Sequence, residues 1–80
     1  MKYEDLPAAK RWPDYMKVGF KPLCLWRSGE PDNAESFDRV VKSFHLENLE
    51  PDFGCRINGV VYLGAIFNPD ERAEYYARSR

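Results

Sequence analysis

An α+β domain of order β-α-β-β-α is predicted by three features of this 80-residue chain. Asn58-Gly59 separates two apolar runs, and a two-residue Asn-Gly loop favours a type I′ hairpin because both central residues must adopt φ > 0. Phe37, Val40, Val41 and Phe44 recur at i, i+3, i+4 and i+7, which makes one apolar stripe on a helix. Asn68-Pro69-Asp70-Glu71 has the residue types of a helix start, with Asn at the N-cap, Pro at N1 and Glu at N3. The expected architecture is a single domain, with two main helices packed on a three-stranded antiparallel sheet. A chain of this size buries only about 60–65% of its unfolded surface, so the core is small.

Each element has its own local reason. In residues 1–15, Pro7 is placed to open a short helix and Pro13 to stop it, since the residue before a proline is pushed out of the helical region. Residues 16–27 read as a strand, with Pro22 marking an edge position or a bulge because it has no N–H for a ladder. Ser28 to Asp32 is loop. The first main helix begins there, either with Asp32 and Glu35 as a capping box or with Asn33 as the cap. On its outer face Glu35 precedes Arg39, and Asp38 precedes Lys42, each by four residues, the favourable order for helix ion pairs. Leu46 falls opposite the apolar stripe, so the helix ends near His45 and Leu46–Asp52 is a connector halted by Pro51.

The hairpin pairs Phe53–Ile57 with Val60–Phe67. Alternation puts Phe53, Cys55, Ile57, Val60, Tyr62 and Ile66 on one face, and Arg56, Val61, Leu63, Ala65 and Phe67 on the other. The second strand is apolar on both sides, the pattern of a central strand covered twice or of a subunit contact. The last helix runs to about Arg78, and Tyr75 and Tyr76, being adjacent, cannot both face the core.

Composition narrows the function classes. The net charge of −1 argues against a dedicated nucleic-acid binder, which carries a basic excess. That charge is polarised: residues 1–27 hold six Lys/Arg against three Asp/Glu, and residues 28–52 hold two against seven. Two cysteines, Cys24 and Cys55, are too few for a stapled secreted scaffold. Neither a signal peptide nor a membrane span is legible, which makes the cytoplasm the expected location and a membrane partner unexpected.

No residue set points to bond-making chemistry or to a cofactor. His45, the one histidine, sits where a cation suits the end of a helix, and both cysteines lie in apolar strand runs and read as small hydrophobes. Neither a Cys-x-x-Cys nor a His-x-x-x-His pair nor a calcium loop or glycine-rich phosphate loop is present in the sequence. A non-enzymatic protein that works by contact is the expectation, with another protein or a ribonucleoprotein as partner and a monomer or homodimer as its own state. Glu47, Glu50 and Asp52 have no evident partners along the chain, so they are candidates for an acidic patch that meets a basic surface; plain solubility is the competing reading. Trp12, Tyr75, Tyr76 and Arg78 are of the residue types that dominate binding hot spots.

In size, solitary build and absence of catalytic motifs the chain resembles the small anti-CRISPR inhibitor proteins that phages encode against bacterial defences. The resemblance rests on overall character rather than on any residue motif, so it transfers no site residues. It implies a CRISPR effector complex as partner, blocked at DNA binding or at nuclease recruitment, and a host-cell cytoplasmic location. Two other classes compete. A nucleic-acid accessory protein would use Lys10, Arg11, Trp12, Tyr15, Lys17, Lys21, Trp26 and Arg27, a basic and aromatic set suited to single strands. A homo-oligomeric structural protein would use the doubly apolar strand 60–67.

Overall fold

The computed structural model of the protein describes residues 1–11 and 24–78, and within them the order of elements is as follows. A 3-10 turn, Tyr3–Asp5, leads to the two-residue strand β1, Ala8–Ala9. Then come β2, Cys24–Gly29; helix α1, Ala34–His45; the hairpin strands β3, Phe53–Ile57, and β4, Val60–Ile66; and helix α2, Pro69–Arg78. The sheet is four-stranded and mixed, in the order β1-β3-β4-β2, with β1 parallel to β3 and the other neighbours antiparallel. The α+β class is as expected, but the count of three antiparallel strands is corrected. Pro7 does not open a helix; its carbonyl accepts from the Arg56 N–H at 2.9 Å and starts the parallel pairing of Ala8 with Arg56. Two residues are too few to leave a periodic signal, which is why β1 was invisible in the sequence.

The Asn-Gly turn forms as expected, with Asn58 at φ 50° and Gly59 at φ 78°. Its tightness sets the register Ile57–Val60, Cys55–Tyr62 and Phe53–Gly64. β4 is flanked on both edges, by β3 and by β2. With α1 over one face and the Trp26 and Phe53 rings on the other, its place in the sheet fits the first of the two readings, a central strand covered twice. β2 continues two residues beyond Arg27, pairing Ser28 with Tyr62 and Gly29 with Val61. Gly29 allows this, since a Cβ there would stand 3.0 Å from Val40 Cγ2 and 3.3 Å from the Ser36 carbonyl oxygen of α1. Residues 16–23 of the expected strand, including Pro22, lie outside the described residues, as does Pro13.

The core lies between α1 and one face of the sheet. Phe37, Val40 and Phe44 pack with Val61, Leu63 and Ala65, and Leu6 closes the end. Phe44, Val61 and Leu63 are completely buried, each contributing about 1.5–3 kcal/mol of hydrophobic stabilisation. Asn33 is the cap, its Oδ1 accepting from the Ser36 N–H at 2.9 Å, so Asp32 is released for another purpose. The predicted pairs Glu35–Arg39 and Asp38–Lys42 are not formed among the described residues; Arg39 donates instead to the Glu30 carbonyl and to Ser36 Oγ, both at 2.9 Å.

On the other face, Trp26 and Phe53 meet edge-on with centroids 4.9 Å apart, across Gly64 of the central strand. A Cβ at Gly64 would lie 2.9 Å from the Phe53 ring, so the glycine is what lets the two rings close. Phe67 departs from expectation: β4 ends at Ile66, and Phe67 leads into the α2 cap and is 52% exposed. No helix of the described residues is long and apolar enough to cross a membrane.

Candidate protein-binding surface

The connector between α1 and β3 sets one wall of the site. α1 closes with a left-handed residue, Asn48 at φ 58°, and the Leu49 and Asn48 N–H groups donate back to the Phe44 and His45 carbonyls at 3.0 Å. This is the Schellman arrangement, in which Asn tolerates the left-handed position and the following apolar residue folds onto the helix. Leu49 does so, packing against the core. Glu47, Glu50 and Asp52 are carried from there in three different directions.

Each of these acids has a partner inside the molecule, which corrects the expectation that they stand unpaired. Glu47 forms an ion pair with Arg27, whose Nη1 also donates to the Ser43 carbonyl at 2.6 Å. Glu50 Oε1 lies 2.8 Å from His45 Nε2 on the surface. Asp52 is fully buried at its side chain. Its Oδ2 accepts from the Ile66 N–H at 2.7 Å, and its Oδ1 accepts from Arg72 Nε at 2.5 Å and from the Tyr76 hydroxyl at 2.8 Å. Asp52 is therefore withdrawn from any outward acidic patch, while Glu47 and Glu50 stay exposed beside their basic partners. The reason is tertiary: Arg27 and Arg72, 20 or more residues from their acids, are brought alongside by β2 and α2.

α2 supplies the second wall. Asn68 Oδ1 accepts from the Asp70 and Glu71 N–H groups at 2.8 and 3.1 Å, the cap the sequence predicts. Tyr75 turns inward and packs on Phe53 at 5.4 Å between centroids, while Tyr76 is the exposed one of the pair. Asp52 holds the Arg72 guanidinium firmly charged, through its hydrogen bond first and its charge second. Burial, and then the hydrogen bond to Asp52, push the Tyr76 hydroxyl up from its ordinary value, so it remains a donor.

Between these walls runs a groove of about 520 Å³, with Leu49 and Glu50 on one side, Arg72 and Tyr76 on the other, and Ile66 and Phe67 beneath. No carboxylate or carbonyl of the described residues accepts from the two terminal nitrogens of Arg72. A second groove of about 530 Å³, near Arg27 and Arg39, is edged by guanidinium groups already bound to Ser43, Glu47, Glu30 and Ser36.

Of the residues chosen from the sequence, Glu50 and Tyr76 line the first groove and Asp52 underlies it. Glu47 lies with Arg27, Tyr75 faces the sheet, and Arg78 is tied to Glu74 at 2.6 Å on the exposed side of α2. Trp12 lies outside the described residues, as do Tyr15, Lys17, Lys21 and Arg80. Phe67, Arg72 and Leu49 were missed. The last two had a signal: Asn48-Leu49 fits a helix-closing turn, and Arg72 stands four residues before Tyr76 on one helix face. Burial raises the pKa of the Cys24 and Cys55 thiols, which disfavours the thiolate form that reacts. Among the described residues no group of His, Cys, Asp and Glu could hold a metal ion. Comparison with protein-family models, with curated proteins and with solved structures yields no match.

Proposed function

We propose that this protein acts without catalysis, by binding another protein through the groove beside α2. The observation that carries this reading is the pairing of an exposed Phe67 with an Arg72 whose guanidinium is held in place from below by a buried carboxylate. Arg and Tyr dominate interface hot spots, and a side chain ordered before binding loses less entropy on contact. The occupant that fits is a partner segment with an apolar side chain, laid over Phe67 and Leu49, beside a carboxylate. That carboxylate would meet the terminal nitrogens of Arg72 as a charge-assisted acceptor.

The resemblance to anti-CRISPR inhibitors supplies the partner class to try first, a CRISPR effector complex blocked at DNA binding or nuclease recruitment. The test has two stages. Purified effector complexes are assayed for target DNA binding and cleavage with and without the protein, and any partner that responds is titrated with wild type and with Phe67→Ser. About a 30-fold or greater loss of affinity is expected for a residue at the centre of the contact. An identified partner that binds Phe67→Ser as tightly as wild type sinks the groove as the contact surface.

A further inference from the structure

We infer that α2 is a latched element, and that Asp52 is its catch. Three observations meet here. First, α2 contributes no buried residue to the protein, whereas α1 contributes Phe37, Val40 and Phe44. Second, a helix of ten residues is too short to persist alone in water, so its existence depends on what holds it to the body. Third, two of its side chains reach the same fully buried carboxylate, which receives Arg72 Nε and the Tyr76 hydroxyl on a single oxygen.

The other Asp52 oxygen is spent on the Ile66 N–H at the end of β4, and the Asp52 N–H itself donates to the Gly64 carbonyl at 2.8 Å. The carboxylate is thus fixed by the sheet, and only its Oδ1 bonds are shared with the helix. That division makes a catch: the sheet half persists when the helix half opens. The Tyr75 ring on Phe53 is the apolar counterpart, but Tyr75 is only half-buried. Because Arg72 and Tyr76 form one wall of the groove, opening the catch removes the groove as well. The segment that binds there is therefore matched to the docked state alone, and its affinity falls in proportion to the docked fraction. This consequence rests on the proposed binding role; the latch itself does not.

The test needs no partner, so the two ideas fail separately. Backbone amide hydrogen exchange is measured on the whole chain for wild type and Asp52→Asn. Removing one side of a charge-assisted hydrogen bond is expected to raise exchange at residues 72–78 by about tenfold or more, with the α1 amides and the β4 amides other than Ile66, which bonds Asp52 directly, unaltered. Tyr76→Phe, which deletes one exposed-side donor and leaves the fold intact, is expected to show a smaller rise at the same amides. Unchanged α2 exchange in both variants overturns the inference. So does an equal rise across all elements, which would make Asp52 an ordinary stabilising group of the whole domain. Glu74→Ala, which breaks the exposed Arg78 pair, is expected to leave the exchange of 72–76 as in wild type.

Discussion

The two faces of the sheet carry the same polar device with opposite weight. On the α1 side, Asp32 Oδ1 accepts from the Tyr3 hydroxyl at 2.8 Å and from Arg56 Nε at 2.9 Å, with the Arg56 guanidinium 4.9 Å above the Tyr3 ring. On the α2 side, Asp52 Oδ1 accepts from Tyr76 at 2.8 Å and Arg72 Nε at 2.5 Å, with the guanidinium 5.7 Å from the ring. Each is an Asp–Arg–Tyr triad tying a helical segment to a strand. The Asp32 triad sits beside a helix that already buries three large apolar residues, whereas the Asp52 triad serves a helix that buries none. The same three residue types thus back up buried apolar side chains in one place and serve a helix without buried residues in the other. What a polar contact contributes depends on the apolar burial behind it.

Breaking the better-fastened side should cost most. Phe44→Ala is expected to lower global stability by about 3–5 kcal/mol, read as a lower midpoint in chemical denaturation, because it empties a fully buried site under α1. Should that variant lose only local structure near α1, the contrast between the two sides fails. Asp52→Ala comes next, at about 1–3 kcal/mol, since it orphans the Ile66 N–H and frees Arg72 and Tyr76. Its helical circular dichroism should fall by the share of α2 while α1 persists; a single cooperative loss of both helices would erase the distinction.

The Asp32 triad sharpens the comparison through pH. The hydrogen bond from Arg56, more than any other influence, holds the Asp32 carboxyl below its ordinary value of 3.8. A carboxyl whose folded pKa is depressed adds stability above its unfolded pKa and loses that share as pH falls through the lower, folded value. Melting temperatures of wild type and Asp32→Asn should therefore differ by a constant amount from neutral pH down to about pH 4, and converge below it. The gap should be small, because both partners are partly exposed and screened. A gap that widens in acid would reverse the assigned role. Smallest of all is Glu74→Ala: its i, i+4 pair with Arg78 is exposed, and a change of about 0.2–0.5 kcal/mol in thermal melts is expected.

Much of the architecture was legible because it is written in nearest neighbours. The Asn58-Gly59 turn, the Phe37–Phe44 stripe and the Asn68 cap each depend on residues within eight positions of one another, and each forms as read. β1 was not legible, because a parallel pairing of Ala8 with Arg56 spans most of the chain and uses backbone groups that every residue has. The site was legible only in part. Tyr76 and Glu50 were found by residue type, but alternation placed Phe67 on a strand face with Val61, Leu63 and Ala65, and it lies beyond the strand and exposed. Alternation cannot say where a strand ends, and β4 stops one residue sooner than the apolar run does.

The chain alone therefore determined the α+β class, the hairpin register and the start of the last helix, since caps, turns and apolar periodicity act over a few residues, while it left the cap of the first helix between Asp32 and Asn33. Only the tertiary structure decided which acid meets which arginine. Asp32, Glu47 and Asp52 look alike along the chain, yet one braces α1, one lies on the surface and one is sealed beneath α2. Charge pairing is non-local and undirected until the backbone places the groups, so burial and partner were settled by the packing of the helices on the sheet.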